Sequence, residues 1–211
     1  MKIHLSSYRV PQPQELFGLT SKETSDIRVA IIPNAKDYYS DRARRVKHQD
    51  IMQYFIDLGV APEIVDLQNY AENSGELLKR HLGQFAILWV GGGNTFCLRE
   101  EMVRTGLDDV LPAILDSGVV YAGESAGAVA LGKSLKGTEL ADEPRFAEKQ
   151  IYEGVGLVPY VVVPHIDNPE FAEANEATRQ QFEQSELLEL KDSQAAIFTD
   201  SLQQYRIVER Q

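Results

Sequence analysis

Short apolar runs alternate along the chain with longer stretches in which apolar residues recur every three or four positions. This is the rhythm of strands alternating with helices. The runs at residues 3–6, 27–33, 63–67, 85–90, 119–122, 160–163, 195–199 and 204–208 predict strands, and several are apolar at every position, as in strands covered on both faces. Helical spacing predicts a covering helix over 37–58, where Val46, Ile51, Tyr54, Phe55 and Leu58 share a side and Gly59 supplies a stop. Further helices are expected at 74–82, 95–105, 107–116, 126–133 and 169–190. The resulting fold class is α/β: three layers, with a mostly parallel sheet and helices on both faces. Two segments fit neither period and read as loops: 11–25, polar with two prolines, and the charged stretch 136–150, which becomes interesting if chemistry lies beside it.

The run Val119-Val120-Tyr121-Ala122-Gly123-Glu124-Ser125-Ala126-Gly127-Ala128 is a buried-type strand leading through Gly-x-Ser-x-Gly into a helix of small residues. A serine at such an elbow is raised above the sheet edge, with a helix N-terminus beside it to favour developing negative charge. A chance match, or a serine that merely caps the helix, is the competing reading. The strand before, the helix after and the small residues around it favour a nucleophile at Ser125.

A serine hydroxyl needs a base near neutral pH, and imidazole suits that task. Of the four histidines, His4 lies in the first strand and His48 and His81 in polar helical stretches. His165 alone follows the carboxyl end of a strand, where α/β sheets build their sites. It is the expected base; a backbone-bonded strand-end histidine, or a metal ligand paired with Asp167, are the alternatives. No other cluster has metal-ligand spacing, so no metal or cofactor is expected. An acid to orient the imidazole is expected in the irregular loop between the two residues, which offers Asp142, Glu139 and Glu143, with Asp142 preferred. Gly91-Gly92-Gly93 also follows a strand and opens a helix. Lacking the spacing of a phosphate loop, it is read as one side of an oxyanion hole, with the amides of Gly93 and Ala126 as donors.

Composition narrows the partners. The 211 residues are 43% hydrophobic and 25% charged, in the range of ordinary globular domains. With 21 basic residues against 32 acidic, the net charge of −11 repels phosphate backbones, so nucleic acid is not an expected partner. The basic run Arg42, Arg44, Arg45, Lys47 reads as a solvated helix face. No apolar stretch reaches the ~20 residues needed to span a bilayer. The single cysteine, Cys97, forms no internal disulfide, and residues 1–5 lead into polar sequence without a signal-peptide stretch, so a cytoplasmic protein with no membrane partner is expected.

Taken together, Gly91-Gly92-Gly93-Asn94-Thr95-Phe96, Gly123-Glu124-Ser125-Ala126-Gly127-Ala128 and Pro164-His165 resemble the peptidase E (aspartyl dipeptidase) family of serine peptidases, to which cyanophycinases are related. The resemblance implies one peptidase E-like domain over 1–211, with a sheet similar to that of class I glutamine amidotransferases. It also implies a serine nucleophile at Ser125, a base at His165, the Gly93 and Ala126 amides as oxyanion donors, and an acid after the elbow, for which Asp142 is the match. Its expected activity is a serine exopeptidase or dipeptidase acting on short peptides, including those with an N-terminal aspartate, as a monomer or homodimer. Asn94, Glu124 and Asp200 are candidate substrate contacts. Glu124 stands where the best-known aspartyl dipeptidases carry Trp, so it would meet a substrate amine or a structural arginine, and Asp200 a free amino terminus. An amidase or esterase on the same elbow, and an inactive amidotransferase-like binding domain, are the competing functions.

Overall fold

The computed structural model describes residues 1–210. Seven strands form one sheet: β1 (Lys2–Ser6), β2 (Arg28–Ile32), β3 (Ala61–Ile64), β4 (Ile87–Val90), β5 (Val120–Glu124), β8 (Gln194–Phe198) and β9 (Arg206–Glu209), in the order β3-β2-β4-β5-β1-β8-β9. The first five run parallel; β8 is antiparallel to β1, and β9 to β8. A separate parallel pair joins β6 (Val161–Val163) to β7 (Leu187–Glu189).

Strand alternation sends two apolar sets in opposite directions. Leu88, Val90, Ile3, Leu5 and Tyr121 pack with helices α3 (Gly75–Leu82), α4 (Thr95–Thr105), α5 (Leu107–Asp116) and α6 (Ala126–Leu131). Ile87, Trp89, Val120, Ala122 and Ile197 pack on the other face with Leu16 and Phe17 of α1 (Pro13–Gly18) and Phe55 of α2 (Asp41–Asp57). The expected three-layer α/β fold is the observed one.

Three local expectations differ. The covering helix begins at Asp41, where the Ser40 side chain accepts a hydrogen bond from Ala43 N, and much of its surface is exposed, with Phe55 as its buried anchor. The segment 11–25 contains α1, started by Pro13 and held by burial of Leu16 and Phe17. The segment 169–190 is not one helix: α7 covers only Ala172–Arg179, and Leu187 and Leu188 leave the helix to form β7. There Leu187 packs on Val161 and Val163, and Leu188 joins the main core, so long-range burial outweighs local helix propensity.

The elbow depends on a close backbone approach. A Cβ on Gly127 would lie 2.0 Å from the carbonyl oxygen of Val90, so only glycine lets α6 sit this near β4. The buried Tyr121 hydroxyl donates to Gly127 O at 2.7 Å and fixes the same contact. Gly127→Ala is therefore expected to lower unfolding stability by about 1–3 kcal/mol, read as a lower denaturant midpoint at unchanged slope.

Candidate active site

The site is assembled from chain ends that the parallel strands bring to one edge. Ser125 follows β5 with φ 49° and ψ −110°, a backbone conformation costly for a residue bearing a Cβ. It is held by its own amide, which donates to Ser6 O at 3.0 Å, and by its carbonyl, which accepts from Ala128 N and Val129 N. His165, two residues beyond β6, also has a positive φ, 61°. Its Nε2 lies 2.9 Å from Ser125 Oγ, its ring is nearly buried, and Phe171 stacks on it with ring centroids 4.3 Å apart.

The carboxylate at the other ring nitrogen is Asp192. Its Oδ1 is 2.5 Å from His165 Nδ1, and its backbone amide donates to Asp167 Oδ1 at 2.9 Å. An ionised carboxylate can only accept, so this contact fits the tautomer with its proton on Nδ1, in which Nε2 faces the serine hydroxyl as an acceptor. Asp192 lies in the polar turn between β7 and β8, a segment the sequence pattern presents as an ordinary surface turn. Asp167 thus supports the turn that carries Asp192.

Asp142, the expected acid, does not meet the imidazole. It accepts from Thr95 N at 2.9 Å and from the Thr95 hydroxyl, capping the first turn of α4. Burial raises its carboxyl above the usual carboxylate range, with the Thr95 hydrogen bonds acting in the opposite direction. Glu139 accepts from Gly137 N and Glu143 pairs with Arg145, so neither alternative acid reaches the ring by these contacts.

Gly91, Gly92 and Gly93 run across the serine. A Cβ on Gly92 would lie 3.1 Å from Ser125 Cβ, and one on Gly93, whose φ is 143°, would strike Ala35 O at 2.3 Å. The Lys36 ammonium donates to Gly92 O and clamps the loop from below. Burial lowers that ammonium below its ordinary range, while Glu124 acts to raise it. Neither Gly93 N nor Ala126 N has a hydrogen-bond partner among the described residues.

The expected substrate contacts divide. Glu124 lines the cavity beside Ser125, but one of its oxygens accepts from the backbone amide of Arg9 at 2.8 Å, a tie to main chain and not to a guanidinium. Asn94 caps α4: its Oδ1 accepts from Phe96 N and Cys97 N, and its Nδ2 donates one N–H to Glu143 O, which ties both ends of the amide to main chain. Asp200 lies at the opposite edge of the sheet. Because β8 runs antiparallel to β1, with Phe198 beside Ile3, the chain leaves β8 at the amino ends of the parallel strands. A cavity of about 470 Å³ opens beside Ser125 and His165, walled by Arg9, Lys36, Trp89 and Glu124 among others. The buried Trp89 Nε1 at its wall has no hydrogen-bond partner among the described residues.

Cys97 is 4% exposed, and burial, helped by nearby carboxylates, pushes its thiol up to about 12. Iodoacetamide at pH 7.5 is expected to leave activity intact; loss of activity in step with carboxymethylation of Cys97 would contradict this. Among the described residues no group of three or more His, Cys, Asp or Glu is placed to hold a metal ion. No helix among them is long and apolar enough to cross a membrane.

A hydroxyl on a strained elbow, an imidazole within hydrogen-bond reach, a carboxylate behind it and free amides beside it are the parts of a serine hydrolase site. The chain belongs to peptidase family S51, whose family model matches residues 7–205. An uncharacterized peptidase of Listeria innocua is 38% identical over 85 residues, covering 40% of this chain and 41% of that protein. An uncharacterized peptidase of Pasteurella multocida is 30% identical over 154 residues, covering 69% of this chain and 68% of its own length. A crystal structure from Listeria monocytogenes, provisionally named a peptidase E protein, superposes with TM-score 0.79 at 22% identity over 99% of this chain and 98% of its own. That likeness is one of fold.

Proposed function

We propose that this chain is a serine exopeptidase or dipeptidase that hydrolyses short peptides in the cytoplasm through an acyl-enzyme, with the whole chain acting as one peptidase domain. The observation that carries the reading is the 2.9 Å approach of His165 Nε2 to the hydroxyl of the strained Ser125. In this mechanism Ser125 Oγ attacks the scissile carbonyl while its proton passes to His165 Nε2. Asp192 holds the Nδ1 proton and stabilises the imidazolium. The Gly93 and Ala126 amides receive the oxyanion. The C–N bond then breaks, the leaving amine takes the proton from Nε2, and water activated by the same imidazole releases the acyl group. Asp192 takes the place in this scheme that the sequence suggested for Asp142.

The cavity size supports short substrates, since sites of about 300–1,000 Å³ bury small-molecule-sized ligands. Glu124, Lys36 and Arg9 in its wall supply both signs of charge for the ionised groups of a free peptide. The test is a panel of free dipeptides, including Asp-X, with N-blocked and C-blocked peptides, simple amides and esters. Hydrolysis confined to peptides with a free terminus is the expected result. Efficient cleavage of doubly blocked peptides would overturn the exopeptidase reading, and turnover of amides or esters alone would replace it with the amidase or esterase.

A further inference from the structure

A third side chain, which takes no part in the proton transfers of the proposed reaction, meets the His165–Asp192 pair. Ser7, one residue past β1, is fully buried, and its hydroxyl has three neighbours. Its Oγ accepts from the backbone N–H of His165 at 2.7 Å, lies 2.9 Å from Asp192 Oδ1 and lies 3.2 Å from His165 Nδ1. Its own backbone N–H donates to Gln194 O at 3.2 Å, across the turn that bears Asp192. One hydroxyl therefore joins the ends of three segments: β1, the β6 extension carrying His165, and the β7–β8 turn.

The proton arrangement leaves one consistent assignment. A hydroxyl has a single proton to donate and two lone pairs. Nδ1 must keep its own proton, which Asp192 Oδ1 accepts, if Nε2 is to take the proton of Ser125. Ser7 O–H consequently donates to Asp192 Oδ1, and a lone pair receives the His165 amide.

We infer that Ser7 is a positioning residue of this site: it holds the Asp192 carboxylate and the left-handed His165 backbone in one register, so that Nε2 points at the Ser125 hydroxyl. The inference rests on the serine-peptidase reading above. Two effects follow. The hydroxyl fixes the imidazole without touching substrate, so its loss acts on turnover and not on substrate binding. By sharing the Asp192 charge it also limits how strongly the carboxylate stabilises imidazolium. Its removal moves the acid limb of the kcat/KM profile to higher pH. Asp167 and Asn168 also face Asp192, through its backbone amide and its Oδ2, Phe171 covers the imidazole, and Asp142 is a further charge near the ring; all are unchanged by substitution of Ser7.

The test compares wild type, Ser7→Ala, Ser7→Cys and Ser125→Ala on one cleaved peptide. Ser7→Cys fills the site with a somewhat larger atom and replaces the hydroxyl with a weak hydrogen-bonding group, so it leaves no cavity and carries the test should the alanine variant fold poorly. The expected result for both Ser7 variants is kcat about 10- to 100-fold lower, KM within about twofold of wild type, and an acid limb displaced upward. A Ser7→Cys enzyme with wild-type kcat and an unmoved acid limb would reduce Ser7 to a packing role and overturn the inference. Retained turnover in Ser125→Ala would instead remove the serine mechanism itself, so the two failures are distinguishable.

Discussion

Ser125→Ala is expected to lower kcat on a cleaved peptide by a factor on the order of 10⁶, with KM nearly unchanged. The size follows from what is removed. In the proposed mechanism the covalent intermediate is lost with the Oγ, and the imidazole 2.9 Å away has no hydroxyl to deprotonate. The Gly93 and Ala126 amides and the cavity remain, so substrate binding persists and a residual rate over uncatalysed hydrolysis of about 10³–10⁴ is retained. The substitution also removes little packing, since only an oxygen is lost. Steady-state kinetics with a thermal melt of the same preparation separates this from unfolding.

Asp192→Asn is the second large effect, about 10⁴-fold in kcat. The amide is nearly isosteric, but it can turn an N–H toward the imidazole and so favour the tautomer with its proton on Nε2, the nitrogen that must receive the serine proton. Asp142→Ala supplies the contrast. Its carboxylate caps Thr95 at the start of α4, so its loss is expected to cost about 0.5–2 kcal/mol of stability while kcat stays within tenfold of wild type. Denaturant midpoints and kcat measured on both variants check the pair. A reversed order, with Asp142→Ala the slower enzyme, would return the orienting role to the loop after the elbow.

That contrast also marks how far the site could be read from the chain. Ser125, the Gly91–Gly93 turn and His165 are visible because each is announced locally, by a strand followed by glycine or proline at a fixed spacing. The elbow in particular needs glycine where Val90 O approaches within 2.0 Å of a would-be Cβ, and the sequence carries that glycine at 127. Asp192 has no local signature. Its place beside the imidazole depends on Leu187–Glu189 pairing with Val161–Val163. That pairing links segments more than twenty residues apart and takes its stability from burial, while the local composition favours helix. A reading of Leu187 and Leu188 as a short strand would have sent the following turn to the edge that holds His165.

The surroundings of Asn94 and Asp200 were hidden in the sequence for similar reasons. Strand direction is not written in the alternation of apolar residues, and because β8 is antiparallel to β1 the chain reaches Asp200 at the edge away from Ser125. Asn94 stands in the glycine-rich turn as a ligand-facing residue would, yet the free amides at the start of α4 claim its side chain. Ser7 and Ser6 are neighbours in sequence with no motif about them. Only the folded chain distinguishes the one that meets His165 from the one that meets Gly123 O.

Covalent capture is the sharpest probe of the Ser125 hydroxyl as the proposed nucleophile. Wild-type protein treated with a fluorophosphonate, digested and mapped by mass spectrometry, is expected to carry one adduct on Ser125, formed in parallel with loss of peptidase activity and absent from His165→Ala. An enzyme that hydrolyses its peptide while Ser125 stays unmodified, or that is inactivated through a different residue, would contradict the account.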